Sequence, residues 1–400
     1  MNFYSPLRTI IRKNVRNGGC FAYVSHNYST KSKEQIASNS AVNNAEKVIG
    51  YPTSFLSLRW LLNDEVANIA LHIRKLIGTN HPLLDAARDL IINKQSLSWG
   101  LIVLLISKAG GLNKEFSQVD CDITAGILHN QRVVAEITDM VRMSNIIHKT
   151  ILNIQTSSEA DFADLNFGNK LSLLTGDYLL STSFGELNRL RNHNVNELIS
   201  TCLRDLTEGQ FIEPRDQQNR PLPAAPLKEQ KDITIPNQVN NELLEIAEVL
   251  GNAKAEWTLR HLLDGASLLA KCCQATLLLA GHPEPFQKLG YLFGRNMALA
   301  YQAHKDQEIF NPGKTGPFSL VCAPLLFHIQ HDPSYHKKIM EYAERDNVDF
   351  YDIRKVVLSG PGLKKTAELQ EELSLNALQV LEDFPESDAR TALSNIINSM

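Results

Sequence analysis

The sequence lacks an apolar run long enough to cross a bilayer. Its longest uninterrupted run is LIVLLI, residues 101–106, whereas a transmembrane helix needs about 20 consecutive apolar residues. We therefore predict that the chain is not transmembrane, which leaves a peripheral association with a membrane possible. Hydrophobic residues make up 43% and charged residues 21% of the 400 residues. This is the balance of an ordinary globular protein with enough apolar mass for a core.

Cysteine motifs are also missing. The six cysteines form no Cys-x-x-Cys pair and show no His/Cys spacing typical of a zinc site. Adjacent Cys272 and Cys273 would point to different sides of a helix, which makes them poor ligands for one metal ion. We expect free and mostly buried thiols, and no metal bound through cysteine.

Acidic residues are absent from residues 1–33, which contain six basic residues and several hydroxyl residues. An acid-free, arginine-bearing start that can form an amphipathic helix is typical of a mitochondrial transit peptide, the alternative being a disordered basic tail. We predict cleavage near residues 27–30 and a matrix location. The whole chain has a formal net charge of −4, and loss of this segment would make it more acidic. That charge argues against nucleic acid as a partner.

The rest of the chain, residues 34–400, has the pattern of a single all-α domain. Apolar residues recur at steps of three and four along most of it, and no stretch alternates as a strand would. One segment differs: residues 211–238 carry five prolines, which block helix formation, and we predict a flexible surface loop there. Helices are predicted at 58–77, 82–93, 97–109, 123–154, 168–190, 194–210, 239–251, 254–280, 284–308, 335–346, 350–359, 363–382 and 387–398.

Two segments resemble the trans-polyprenyl diphosphate synthases. Residues 167–180 read FGNKLSLLTGDYLL and residues 145–153 read NIIHKTILN, while the family has GNKxxxLxGDYLL preceded by LIHDDxxD. The matching framework residues are His148, Gly168, Asn169, Lys170, Gly176, Asp177, Tyr178 and Gln302. The resemblance covers residues 80–310 well, and it implies an isoprenoid-synthase-like bundle of about ten or more helices around a central cavity.

The acids of the family's two motifs are largely replaced. In the first motif, Lys149, Thr150 and Asn153 stand where the family has aspartates. In the second, which follows Tyr301-Gln302, the three positions hold Lys305, Asp306 and Ile309. The family's reaction ionises an allylic diphosphate, and Mg²⁺ held by carboxylates neutralises the leaving group. We therefore predict no catalytic residue and no metal bound by this chain.

The phosphate-binding positions are changed as well. The family's GKRxRP corresponds to residues 95–100, QSLSWG, and its KTA corresponds to Asp264-Gly265-Ala266. The resemblance thus implies a non-catalytic subunit that pairs with a catalytic, Mg²⁺-binding chain, as a heterotetramer, to make the ubiquinone side chain. Two alternatives stay open: a weakly active synthase in its own right, or an isoprenoid-binding or interaction protein of quinone synthesis.

Several residues have two interpretations. Lys149 could form an ion pair that stands in for a magnesium ion, or it could be solvated. His148 could be a general base or a packed histidine. Asp306, with nearby Glu308, could keep weak metal affinity or belong to a charged helix face. We expect Asp177 to serve as a structural hydrogen-bonding residue.

Overall fold

A computed structural model describes residues 33–50, 76, 79, 81–91, 97–113, 123–156, 158–227, 249–345 and 348–400. The chain divides into two compact units, Met1–Ile36 and Ala37–Met400, and of the first only residues 33–36 are described. The predicted leader, residues 1–33, therefore lies outside the described residues apart from Lys33, where the first helix begins. The helix predicted at 239–251 lies almost wholly outside them too, as does the one at 58–77.

The described regular structure is almost entirely α-helical, as predicted. The first six helices are α1 (Lys33–Ile49), α2 (Pro82–Ile91), α3 (Trp99–Gly110), α4 (His129–His148), α5 (Glu159–Arg189) and α6 (His193–Glu208). The remaining helices are α7 (Ala253–His261), α8 (Ser267–Leu279), α9 (Glu284–Glu308), α10 (Ala323–His331), α11 (Ser334–Glu344), α12 (Phe350–Ser359), α13 (Gly362–Glu382) and α14 (Asp388–Asn398). A π-helical segment, Leu262–Ala266, joins α7 to α8.

Helices α3 and α8 form the centre of the core. Helix α3 is apolar on nearly all sides, and Leu101 to Ile106 are completely buried in it, as expected of a helix surrounded by others. Residues Ala253–Leu279 are long and apolar enough to cross a membrane, but 83% of their most apolar stretch is buried inside the fold. Burial of this kind is what a core helix shows, so the segment is explained by packing.

The chain departs from the predicted helix 123–154 at both ends. It begins with a short antiparallel hairpin, β1 (Ile123–Thr124) and β2 (Ile127–Leu128), where we predicted no strand. Helix α4 then ends at His148, six residues early, and residues 151–156 are not helical. The first-motif positions therefore do not share one helical face, because only residues up to the end of α4 follow the helical period.

The proline-rich segment is packed where it is described. Residues 212–227 are irregular, as the prolines predict, but Ile212, Leu222 and Pro223 are buried. Arg260 of α7 donates hydrogen bonds to the carbonyl oxygens of Ile212, Glu213 and Leu222, at 3.3, 3.2 and 3.1 Å. These contacts attach the first half of the predicted loop to the helical core, so it is not a free surface loop.

Candidate functional site

A cavity of ≈ 950 Å³ lies beside the C-terminal end of α4. Its walls come from α4, α5, α6, the residues after α4, the loop 215–221, α7 and the π-helical segment. Apolar walls include Val141, Leu180, Leu203 and Val321. Its volume falls within the usual range for small-molecule sites, and it lies next to the first motif, as the resemblance implies.

Lys149 and Asp264 form an ion pair at the cavity wall. Lys149 stands at the first motif and Asp264 at the family's KTA position, so the two altered positions neutralise each other. Each side chain is 38% exposed. Asn145, one turn before Lys149, donates to the backbone oxygen of Asp264 at 3.2 Å. Of the two interpretations of Lys149, the ion pair is the one found, with a carboxylate of this chain as its partner.

Thr150 and Asn153 turn away from that pair. Thr150 is 6% exposed, and its hydroxyl contacts the carbonyl oxygen of Ile147 at 2.6 Å and the hydroxyl of Ser172 at 2.8 Å. Asn153 reaches across to the loop, where its Nδ2 donates to the carbonyl oxygen of Gln217 at 3.1 Å. The three first-motif positions thus point to three different neighbours and cannot hold one ion.

The framework glycines allow two histidine rings to lie against α5. A Cβ built on Gly168 would lie 2.3 Å from the His81 ring, and one on Gly176 would lie 2.1 Å from the His148 ring. His148 also approaches Asp177, with 3.3 Å between Nε2 and Oδ1. The hydrogen-bond partner of His148 Nε2 is the carbonyl oxygen of Leu173, at 3.3 Å. This supports the interpretation of His148 as a packed histidine, whereas a structural hydrogen-bonding role for Asp177 stays a prediction.

Asn169 holds the segment that follows α4. Its Oδ1 accepts from the backbone N–H of Leu152, and its Nδ2 donates to the carbonyl oxygen of Leu152, both at 2.8 Å. The same Oδ1 lies 3.1 Å from His81 Nε2. Of the other framework residues, Lys170 is exposed, and Tyr178 is half-buried against a small apolar cluster.

The acid retained in the second motif is buried and fully engaged. Asp306 is 2% exposed, and its carboxylate accepts from Trp257 Nε1, from Gln302 Nε2 and from the backbone N–H of Ala323, each at 2.8 Å. The interpretation of Asp306 as part of a charged helix face was therefore wrong, because the residue is buried in the core and its carboxylate already accepts three hydrogen bonds. It ties α7 and the start of α10 to α9.

The other second-motif positions are also committed. Lys305 donates to Glu308 at 2.6 Å, and although burial opposes its charge, Tyr301 and Glu308 raise the pKa of Lys305 above its usual value. Ile309 packs against a second apolar cluster, while its carbonyl oxygen accepts from Arg354. In the part of the chain that is described, the side chains of Lys305, Asp306 and Ile309 do not line the cavity.

A second carboxylate, Asp139, occupies the region where the family has GKRxRP. It accepts from the Ser98 hydroxyl at 2.7 Å and from the backbone N–H groups of Trp99 and Gly100 at 3.1 Å. It therefore caps the N-terminus of α3, which is the end of a helix that attracts anions. Burial raises the pKa of Asp139, although these hydrogen bonds and nearby Arg142 oppose the rise.

The described residues do not fit the magnesium cluster that the family resemblance implies. Mg²⁺ prefers several carboxylate oxygens in octahedral geometry, whereas the motif positions present an ion-paired lysine, a buried threonine, an amide and a saturated carboxylate. Across the described ranges, no three His, Cys, Asp or Glu side chains converge as a metal site would require. Sequence patterns did not single out Asp139, Gln217 or Gln218, because nothing local marks their distant partners.

Comparison with known proteins agrees with the family resemblance seen in the sequence motifs. The chain is 35% identical to the human "All trans-polyprenyl-diphosphate synthase PDSS2" over 92% of this chain and 88% of that protein. It is 28% identical to the "Probable hexaprenyl pyrophosphate synthase, mitochondrial" of Neurospora crassa, over 89% of this chain and 83% of that protein. No family model matches. The apo form of an Arabidopsis medium/long-chain prenyl pyrophosphate synthase superposes with a TM-score of 0.51, at 21% identity, over 84% of this chain and 95% of that one.

Proposed function

The chain belongs to the trans-polyprenyl diphosphate synthase family, and we propose that within it the chain is a non-catalytic subunit of a heteromeric enzyme. The partner chain would carry both acidic motifs and the Mg²⁺. The reaction breaks a carbon–oxygen bond and leaves a multiply charged diphosphate, which needs divalent cations and basic groups. A chain without those groups can contribute to the complex only by binding and shaping its partner.

The observation that carries this proposal is that side chains at the motif positions already form contacts with other residues of this chain. Lys149 pairs with Asp264, Thr150 contacts Ser172, and Asp306 accepts three hydrogen bonds inside the core. A buried carboxylate satisfied by three donors would have to give them up before it could bind a metal. The site is thus built to be stable without ligands, which a stabilising subunit needs and a catalyst does not.

An exposed apolar row on α5 supports the existence of a partner. Phe162, Leu173 and Phe184 are 49%, 48% and 45% exposed, and they recur every eleven residues, or about three helical turns, along one face. Leu174, beside them, is 54% exposed. Exposed large apolar side chains that recur on one helical face are candidates for an interaction site, so we assign this face to the catalytic chain.

The cellular setting follows from the relatives and from the predicted leader. The Neurospora crassa relative and a Saccharomyces cerevisiae hexaprenyl pyrophosphate synthase, 29% identical over 70% of this chain, are named as mitochondrial. We propose that this chain acts in the mitochondrial matrix, in a heterotetramer that makes the all-trans isoprenoid side chain of ubiquinone, and that it associates with the inner membrane only peripherally.

An elongation assay of each chain alone and of the co-purified pair tests the proposal. We expect product from the pair and none from this chain alone. Turnover by this chain alone would support a synthase with its own activity, whereas full activity of the partner alone would support an isoprenoid-binding or interaction protein. In a calorimetric titration we expect no binding of Mg²⁺ with a bisphosphonate to the isolated chain.

A further inference from the structure

Two non-helical segments face each other at the rim of the cavity. The first is the strap, residues 151–155, which follows α4. The second is the turn, residues 215–221, in the proline-rich segment. Ile151, Leu152 and Asn153 of the strap line the cavity, as do Gln217 and Gln218 of the turn. Since Ile151, Asn153 and Gln217 are also exposed to solvent, the two segments form part of the rim.

Four hydrogen bonds between amide groups join the strap to the turn. The backbone N–H of Asn153 donates to Gln218 Oε1 and Gln218 Nε2 donates to the Asn153 carbonyl oxygen, both at 2.9 Å. Asn153 Nδ2 donates to the Gln217 carbonyl oxygen at 3.1 Å, and Gln155 Nε2 donates to Gln217 Oε1 at 3.0 Å. Every one of these groups is neutral, so the junction needs neither a cation nor a charged partner.

Each segment is also held by hydrogen bonds outside the junction. Asn169 of α5 holds Leu152 of the strap through two hydrogen bonds. On the other side, Asp216 folds the turn by accepting from the backbone N–H groups of Gln218 and Arg220, at 2.9 and 2.8 Å. Arg215 donates to the Gly209 carbonyl oxygen at 2.7 Å. The amides therefore meet as preformed partners, which lowers the entropy lost when the junction closes.

We propose that the strap and the turn form a gate that closes one side of the cavity without a metal ion. Asn153 is central to it because its amide donates to a carbonyl oxygen, which an aspartate at this position could not do. A carboxylate there would instead face the Gln217 carbonyl oxygen with like partial charge. Opening of this junction controls access to the cavity, and the gate does not depend on the presence of a partner chain.

Hydrogen–deuterium exchange of the full-length chain, alone and in its complex, tests the gate. Asn153→Asp removes a single donor at constant size, and Gln218→Ala removes two contacts from the opposite side. We expect Asn153→Asp to accelerate exchange about fivefold in both peptides, 150–156 and 214–222, because loss of one hydrogen bond is enough for that ratio. Gln218→Ala should accelerate exchange further in the same two peptides, because it removes two hydrogen bonds. Exposed Asn166 makes a matched control as Asn166→Ala, which should change neither peptide.

The deciding result is whether a substitution in one segment changes hydrogen exchange in the other segment. If each substitution accelerates exchange only in its own segment, the segments are not coupled and there is no gate. Loss of wild-type protection on addition of a chelator such as EDTA would also overturn the proposal, since the closure would then need a metal ion. A fluorescent apolar dye provides a second readout: it should enter the cavity faster in both variants than in Asn166→Ala.

Discussion

Lys149 and Asp264 form an ion pair in which the charges stand opposite to those of the family pattern. The first motif of the family has an aspartate at position 149, and its KTA segment has a lysine at position 264. Here the lysine and the aspartate have exchanged places, and their side chains meet directly at the cavity wall.

Swapping the charges of Lys149 and Asp264 tests whether their ion pair stabilises the fold. Lys149→Ala and Asp264→Ala should each cost no more than about 1 kcal/mol in the free energy of unfolding, because both side chains are partly solvated. The reversed double variant, Lys149→Asp with Asp264→Lys, should recover most of the stability that either single reversal loses. Urea denaturation measures all of these values. Asp306 keeps its hydrogen bonds inside the core in the reversed variant, so we expect no prenyl transfer by that variant alone. Prenyl transfer by it would contradict the proposed function.

Asp306 should matter for stability far more than its neighbour Glu308. Asp306→Ala leaves the donors of Trp257, Gln302 and the Ala323 backbone without their acceptor inside the core, and we expect a loss of about 3 kcal/mol or more. Glu308→Gln removes only partly exposed contacts with Lys305 and His304 and should cost at most about 1 kcal/mol. Thermal unfolding measures both. Equal effects of the two substitutions would show that Asp306 has no structural role.

Helix positions were largely predictable from local periodicity. Helices α9 and α12 begin and end where predicted, at 284–308 and 350–359. The end of α4 was not predictable, since Asn169 supplies hydrogen bonds to the backbone of Leu152 that compete with continued helix. Apolar spacing alone contains no information about such a distant competitor.

The site was predictable as a set of altered positions but not as a set of contacts. The sequence identified Lys149 and Asp264 separately, yet they are 115 positions apart, so their pairing depends on how α4 packs beside the π-helical segment. Asp306 lies on a helix whose pattern admits a solvated face. Its burial results from Trp257 and Ala323, which other elements of the fold bring to it.

The apolar row on α5 should be required for association with the catalytic chain. Leu173→Asp places a charge on that face, and we expect it to abolish co-purification while thermal unfolding of the isolated chain changes little. Leu375 of α13 is similarly exposed, at 58% against 48%, so Leu375→Asp is the matched control and should leave the complex intact. Pull-down through a tagged partner measures both. The α5 assignment fails if the two variants bind alike.

His328 should make the fold less stable in mild acid. Burial lowers the pKa of His328 from its usual 6.5, and neither ring nitrogen has a hydrogen-bond partner. The unfolded chain therefore binds the proton more readily than the folded one, so stability is highest above pH 6.5 and falls as the pH drops below it. We expect His328→Leu to weaken this dependence in urea titrations between pH 7 and pH 5. An unchanged slope would exclude His328 as its source.

Gly176 and Gly185 lie on the same helix, α5, but an added methyl group should have opposite effects at the two sites. At Gly176 the new Cβ would lie 2.1 Å from the His148 ring, so Gly176→Ala should cost about 1–3 kcal/mol. Around Gly185 there is open space, and Gly185→Ala should gain up to about 1 kcal/mol from helix propensity. Adding His148→Ala should relieve part of the Gly176→Ala loss. Thermal unfolding of the three variants measures these differences, and a Gly176→Ala chain as stable as wild type would show that the close contact between α4 and α5 is absent.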